Sequence, residues 1–175
     1  EEAFSDPKTK YRMIGEARCM RALHYSYLIR LFGDVPYIDH PLSPDEFKIS
    51  KASSDVVFSE LIYTDLRYAI KHLPSRTGID GPKAQPGRMS KGTAIYLLTQ
   101  MLIFQAGTDA ASPNWEEAYL LADSLVNGPY AGDYSLLPNY EDIWMDGNDF
   151  NDEIIFEIVF MGYDKVINCV TLIMS

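Results

Sequence analysis

The sequence predicts a mainly α-helical domain built from helix–loop–helix units, with long loops and a short β segment near the C-terminus. Four segments carry apolar residues at the spacing of three and four positions that is typical of amphipathic helices. Small residues recur at Ala94, Ala118 and Ala122, where paired helices would cross closely. Apolar, β-branched runs of strand length come only after residue 150. This pattern indicates a helical scaffold with a small β addition.

The first predicted helix runs from Lys8 to Phe32. Apolar residues surround most of its circumference, which is typical of a helix buried on several sides. Gly33 suits its C-terminal end, and Pro36 follows soon after. Cys19 falls within the apolar pattern, so we expect a buried and inert thiol.

Two arginines, Arg18 and Arg21, lie three positions apart on one face of this helix. If they are buried, they need carboxylate partners, because an unpaired buried charge is costly. The sequence offers Asp34 or Glu16 nearby. We therefore expect a structural ion pair at this face.

A long loop with three prolines and no sustained period is predicted at 34–52. Ser53 or Ser54 then caps a second helix that reaches Leu73 and ends at Pro74. Its apolar stripe comprises Phe58, Leu61, Ile62, Leu66, Ala69 and Leu73.

A glycine- and proline-rich loop precedes a third helix, predicted from about Met89 to Gln105. Ser90 is its expected N-cap and Gly107 its end. Its inner stripe comprises Ala94, Leu97, Leu98 and Met101.

The fourth predicted helix begins at Asn114 as N-cap, with Glu117 at the spacing of a capping box. The pair Asn127-Gly128 closes it. Trp115 is expected on its inward face. The second helix pair spans about 40 residues, which resembles tetratricopeptide-type repeats, although the loops are longer than that repeat normally allows.

The chain is predicted to hold one domain with two regions. Residues 1–128 form the helical region of two helix–loop–helix units, and 129–175 form an irregular, aromatic-rich loop with short strands at 154–160 and 166–174. Two strands are marginal alone, so we expect the chain to continue beyond Ser175. The acidic start without Met indicates a processed or excised N-terminus.

Charge and composition exclude several classes of partner. Of the 175 residues, 47% are apolar, enough for a hydrophobic core and too many for a disordered tail. Lys and Arg number 15 against 25 Asp and Glu, a net charge of −10. Such a surface repels phosphate, so we expect neither nucleic acid nor anionic lipid as a partner.

Catalytic and metal-binding motifs are not apparent in the sequence, and no cofactor is predicted. The two cysteines are 150 positions apart, and the three histidines share no metal-ligand spacing. There is no phosphate-binding loop and no nucleophile elbow. The acidic run 146–153 resembles a calcium loop only in part, because Phe150 and Asn151 occupy places that need an oxygen ligand and a glycine. A solvated turn is the simpler interpretation.

Aromatic residues in loop-like sequence are the best candidates for a binding site. They are Tyr130, Tyr134, Tyr140 and Trp144. Their flat rings can stack on the apolar faces of sugars or anchor a protein partner. Alternatively, they pin irregular loops onto the helical core. The predicted glycan-binding residues are Tyr134, Tyr140 and Trp144.

One motif carries a family resemblance. The decapeptide EARCMRALHY at 16–25, followed by LFGDVP at 31–36, resembles the SusD/RagB family. Later positions match in the same order: Asp65-Leu66, Ala69, Leu73-Pro74, Gly87-Arg88, Lys91-Gly92, Ala94, Trp115, Ala118, Ala122, Tyr140 and Glu153-Ile154-Ile155-Phe156-Glu157. The resemblance covers roughly residues 10–160.

This resemblance implies a protein on the outer face of the bacterial outer membrane, held by a lipid anchor that the chain does not include. It implies non-catalytic binding of oligosaccharide, or of peptide in some members, over a TonB-dependent SusC-like transporter. Family ligand residues vary with substrate, so the resemblance assigns none here. The alternative is a helical protein-interaction scaffold in the same uptake complex with no glycan contact of its own. A glycoside hydrolase is the weakest hypothesis, since it needs two carboxylates at catalytic separation in one cleft.

Overall fold

The computed structural model describes residues 6–78, 80–145, 147–161 and 166–173. Within these ranges the chain forms helices α1 (Pro7–Phe32), α2 (54–72), α3 (Lys91–Ala106) and α4 (Asn114–Val126). Strands β1 (Val35–Pro36) and β2 (Lys51–Ala52) pair antiparallel, as do β3 (Ile154–Met161) and β4 (Val166–Ile173). Short 3₁₀ helices lie at Pro44–Glu46 and Tyr140–Trp144. The mainly α fold class is therefore confirmed.

Helix α1 begins at Pro7, one residue before the predicted Lys8, and ends at Phe32, as predicted. The Asp6 carboxylate accepts hydrogen bonds from the backbone N–H groups of Lys8 and Thr9, and Gly33 ends the helix with a φ of 66°. Glycine reaches this left-handed conformation without a Cβ clash. Cys19 is fully buried, as expected, and burial raises the pKa of its thiol to about 12.

The expectation that α1 is buried on several sides is wrong. One face is enclosed, whereas Leu31 and Phe32 near its C-terminus are 73% and 65% exposed. The apolar pattern shows which faces of a helix are apolar. It cannot show whether a neighbouring element covers each of those faces.

The Arg18–Arg21 face does carry ion pairs, but with a different partner from those expected. Arg21 donates from Nε and Nη2 to the Asp65 carboxylate at 2.6 and 2.8 Å, and Arg18 Nη1 lies 3.6 Å from it. Asp65 is 1% exposed. Glu16 instead accepts both hydrogen bonds from Arg88, and Asp34 accepts one from the N–H of Ser54.

Helix α2 combines α-helical turns at Ser54–Val56 and Tyr63–His72 with a π-helical segment at Val57–Ile62. Ser53, one of the two predicted alternatives, is the N-cap and accepts a hydrogen bond from the N–H of Val56. The six residues of the predicted apolar stripe are all buried. Before this helix, β1 and β2 add a two-residue ladder to a segment that the sequence presented as a plain loop.

Helix α3 is capped by Ser90, whose Oγ accepts a hydrogen bond from the N–H of Thr93, and it ends at Gly107, as predicted. The predicted inner stripe, Ala94, Leu97, Leu98 and Met101, is buried.

The predicted cap of helix α4 is wrong. Pro113 occupies the N-cap position and makes no side-chain capping hydrogen bond, while the Ser112 Oγ accepts one from the N–H of Asn114. Glu117 does not complete a capping box, because its carboxylate accepts two hydrogen bonds from Arg67 of α2. Trp115 is 39% exposed, and its indole N–H donates to the carbonyl of Asp109, so it does not belong to the core.

The helices pack in chain order, α1 on α2, α2 on α3 and α3 on α4, and β3 lies against α3. The core comprises their facing stripes, with Ile155 and Phe156 added from β3. The division into regions at residue 128 stays a prediction. No described helix has the length and apolar character needed to span a membrane.

Candidate functional site

The candidate site is the Tyr140–Trp144 3₁₀ helix in the segment between α4 and β3. Tyr140 is 71% exposed and Trp144 is 56% exposed. Their ring centroids are 6.3 Å apart, and the ring planes meet at 69°. This edge-to-face geometry is a favoured one for two aromatic rings, and it leaves both available to solvent. We call Tyr140 and Trp144 the aromatic pair.

Local bonds build this short helix. The N–H of Asp142 donates to the carbonyl of Asn139, and the Asn139 amide donates to the Asp142 carboxylate at 3.1 Å. Ile143, between the two aromatic residues, is 4% exposed, so this side of the helix is buried. The apolar anchor points inward while the aromatic pair remains outside.

Tyr134 is buried, unlike the aromatic pair. It is 6% exposed, its hydroxyl hydrogen-bonds the Ser90 hydroxyl at 2.9 Å, and burial raises its pKa to about 12. A ring this enclosed has no free face, which matches the packing interpretation, and the glycan-binding role of Tyr134 stays a prediction. Tyr130 is partly buried, and the Lys91 ammonium lies 5.5 Å from its ring centroid.

Arg76 hydrogen-bonds the chain on both sides of the aromatic pair. The sequence analysis did not single out this buried arginine. The Arg76 guanidinium donates to the carbonyls of Asp133, Phe150 and Asn151 at 3.0, 2.7 and 2.7 Å. It also donates to the Asp152 carboxylate at 3.0 Å. Arg76 is 3% exposed. We call Arg76 with these four acceptor residues the Arg76 clasp.

Charge around the clasp is balanced by carboxylates. The Asp133 carboxylate accepts from the backbone N–H of Arg76 and from the Thr77 hydroxyl at 2.6 Å. Partial burial disfavours the Asp152 carboxylate, but the nearby Lys83 ammonium and Arg76 guanidinium outweigh it and hold its pKa below the usual value. In the sequence, Arg76 is visible only as a single arginine in a glycine- and proline-rich loop. No neighbouring residue identifies the carbonyl and carboxylate groups that accept its hydrogen bonds.

Two glutamates of the following strand region complete the anchoring. Glu153 accepts a hydrogen bond from the N–H of Leu137 at 2.9 Å, and Glu157 accepts one from the N–H of Phe150 at 2.9 Å. Both glutamates are buried. These carboxylates therefore bind the backbone of the segment that carries the aromatic pair.

The partial calcium motif at 146–153 begins at Asp146, which lies outside the described residues. The Asn148 side-chain amide donates to the carbonyl of Asp142, and that of Asn151 donates to the carbonyl of Asn148. Phe150 adopts a φ of 57°, the left-handed region. Among the described residues, no group of three or more His, Cys, Asp or Glu could hold a metal ion.

Comparisons with known proteins find similarity to SusD-like proteins. No model of a known protein family matches it. It is 29% identical over 149 residues to SusD-like protein P25 of Formosa agariphila, covering 85% of this chain and 25% of that protein. It is 25% identical over 158 residues to starch-binding protein SusD of Bacteroides thetaiotaomicron, covering 90% and 26%.

Solved structures agree. A laminarin-binding SusD-like protein matches with 30% identity and a TM-score of 0.77, covering 90% of this chain and 32% of that one. A SusD superfamily protein from Parabacteroides distasonis matches with 26% identity and a TM-score of 0.80, covering 94% and 33%. The chain thus spans about a quarter of the length of the curated relatives it matches.

Proposed function

We propose, because this chain belongs to the SusD-like family, that it takes part in non-catalytic binding of oligosaccharide at the bacterial cell surface. The proposal includes delivery of the bound oligosaccharide to a TonB-dependent SusC-like transporter in the outer membrane. The relatives named for starch and laminarin binding support a glycan ligand. In this proposal, a lipid anchor holds the protein at the membrane.

The observation that carries the proposal is the exposed aromatic pair. Each ring offers a flat apolar face, and the C–H groups of a sugar ring form a complementary apolar face. Stacking removes both faces from water, which supplies affinity without requiring charge on the ligand. Neutral glycans are also indifferent to the net charge of −10.

Calorimetry with oligosaccharides derived from starch and from laminarin tests the glycan proposal. The wild-type chain is compared with the Tyr140→Ala/Trp144→Ala double variant. Because both stacking surfaces are lost, we expect the variant to bind at least about tenfold more weakly.

Tyr119→Ala is the matched control, since Tyr119 is also exposed, at 63%, but lies on α4 outside the aromatic pair. It should bind as the wild type does. Equal affinity of the double variant and the wild type would show that the aromatic pair is not part of the glycan-binding site. Absence of binding by a folded wild-type chain to every sugar tested would count against glycan contact in this segment.

A second candidate function is a helical scaffold that binds protein within the uptake complex and makes no glycan contact. The exposed apolar side chains of α1, Leu31 and Phe32, favour it, because such side chains are typical of protein interfaces. This hypothesis predicts that a SusC-like transporter co-purifies equally well with the wild type and with Tyr140→Ala/Trp144→Ala. Loss of co-purification in the double variant would contradict it.

A further inference from the structure

We propose that Arg76 is the positioning residue of the aromatic pair: through the Arg76 clasp it holds residues 139–145 and 147–151 in the conformation that presents both rings. The relevance of this role to ligand binding rests on the proposed function. The positioning itself is a property of the free chain.

The burial and the contacts of Arg76 support this role. Its side chain is 4% exposed, and it reaches residues 57 to 76 positions further along the chain. Three of its acceptors are backbone carbonyls, which any sequence offers, so the clasp fixes the path of the segment. The Arg76 guanidinium carbon also lies 5.4 Å from the centroid of the buried Tyr134 ring. An arginine enclosed in this way has little freedom to leave its acceptors.

A continuous series of hydrogen bonds links the clasp to the aromatic pair. Arg76 Nη2 donates to the carbonyl of Asn151, whose amide Nδ2 donates to the carbonyl of Asn148 at 3.0 Å. The Asn148 amide Nδ2 then donates to the carbonyl of Asp142 at 2.6 Å. Asp142 lies in the 3₁₀ helix between Tyr140 and Trp144. A disturbance at Arg76 therefore reaches the aromatic pair through two asparagine side chains.

The shape of the guanidinium suits this task, and an ammonium does not. The planar fork of arginine directs several N–H groups at fixed angles, so it can serve three carbonyls and a carboxylate together. Lysine keeps the charge but presents one nitrogen, which cannot reach all four acceptors. Preorganised side chains bind a ligand more tightly, because they lose less conformational entropy when the ligand binds.

The first test uses Arg76→Lys in a Trp115→Phe background, where Trp144 is the single tryptophan. Two readouts need no ligand: time-resolved fluorescence anisotropy of Trp144, and hydrogen exchange at the Asp142 amide. We expect a larger amplitude of local Trp144 motion and about tenfold faster exchange at Asp142. Arg67→Lys, which alters the exposed pair with Glu117, is the matched control and should change neither readout.

A second variant covers the case in which Arg76→Lys fails to fold. Asn148→Ala cuts only the last hydrogen bond to Asp142 and leaves no buried charge. We expect the same increase in Trp144 motion with an unchanged melting temperature. Asn127→Ala, which removes a side-chain hydrogen bond to Asp123 at the end of α4, is its control and should leave Trp144 unaffected.

Binding of laminarin and soluble starch, measured on the same variants, separates this inference from the proposed function. Increased motion of Trp144 together with weaker binding supports both. Increased motion in a chain whose wild type binds neither polysaccharide supports the positioning role and overturns glycan binding by this segment. Trp144 motion and Asp142 exchange that stay unchanged in Asn148→Ala and in folded Arg76→Lys would overturn the positioning role.

Discussion

At the scale of single residues, Asp65 joins the first two helices through a buried charge. The carboxylate is 1% exposed and lies within reach of two guanidinium groups from α1. Both arginine side chains remain about one-third exposed, so only part of their hydration free energy is lost. The ion pairs between Asp65 and the two arginines therefore stabilise one specific register of α1 on α2.

Replacing Asp65 by Asn should lower the free energy of unfolding by about 3 kcal/mol, because two cations lose their shared partner. Urea denaturation of the variant and the wild type measures this difference. Glu117→Gln is the matched control: it removes one carboxylate from the exposed pair with Arg67 and should cost less than about 1 kcal/mol. Similar costs for the two variants would show that burial at Asp65 contributes little.

His40 is a second residue whose charge can be tested. Its ring nitrogens contact the Asp39 carboxylate at 2.7 Å and the Glu46 carboxylate at 3.2 Å, and these contacts raise the pKa of His40 above 6.5. A raised pKa means that protonated His40 stabilises the folded loop below pH 6.5. This contribution is lost as the pH rises through the folded-state pKa.

An NMR titration of the His40 ring should therefore give a pKa above 6.5. Asp39→Asn should lower this pKa more than Glu46→Gln does, since the hydrogen bond with Asp39 is the larger cause of the shift. A pKa at or below 6.5 in the wild type would show that these contacts do not persist in solution.

At the scale of elements, the N-terminal turn of α3 and Tyr134 fit together too closely for any added atom. A Cβ built on Gly92 would collide with the hydroxyl and ring carbons of Tyr134. The tyrosine is itself buried and hydrogen-bonded to the α3 cap Ser90, so it cannot move aside. This contact attaches the aromatic-rich segment to the helical scaffold.

Gly92→Ala should accordingly destabilise the chain by at least about 1 kcal/mol through overpacking. Thermal unfolding followed by circular dichroism measures it. The control is Gly15→Ala on α1, where the new Cβ would lie 3.3 Å from a terminal carbon of Leu73, a contact that a shift of a few tenths of an ångström relieves. There the better helix propensity of alanine offsets the contact, so we expect a change within about 1 kcal/mol of zero. Equal losses at both glycines would contradict this account.

At the scale of the whole molecule, the surface combines a net charge of −10 with exposed apolar side chains at the end of α1. The charge opposes non-specific association, whereas exposed Leu31 and Phe32 favour it. Neither residue contributes much to the core.

The double variant Leu31→Ser/Phe32→Ser should keep its stability within about 0.5 kcal/mol of the wild type, since little burial is lost. It should also bind less of the dye ANS and self-associate less at high protein concentration. Denaturant unfolding and analytical ultracentrifugation measure these properties. A loss of several kcal/mol would instead mean that these side chains are covered in solution.

Local sequence allowed much of the fold to be predicted, and the reason is physical. Helix ends depend on caps a few residues away, so Ser53, Ser90, Gly33 and Gly107 marked them correctly. The cap of α4 was missed because Asn114 and Glu117 have the residue types of a capping box, while Glu117 pairs with Arg67 on another helix. Tertiary partners override such local preferences.

The candidate site was predictable only in part. Tyr140, Trp144 and Tyr134 look alike in sequence, since each is an aromatic residue in an irregular stretch. Whether a ring faces solvent depends on what packs against it, and only Tyr134 meets the buried Ser90 hydroxyl.

The sequence by itself determined the helical class, most helix boundaries, the strand-forming runs and the family resemblance, because these depend on neighbouring residues and on residue order. The tertiary structure decided which charges pair and which rings are exposed. Arg21 meets Asp65 across 44 positions, and Arg76 meets Asp152 across 76. Such partners are selected by the packing of whole elements, and no local pattern of residues encodes that choice.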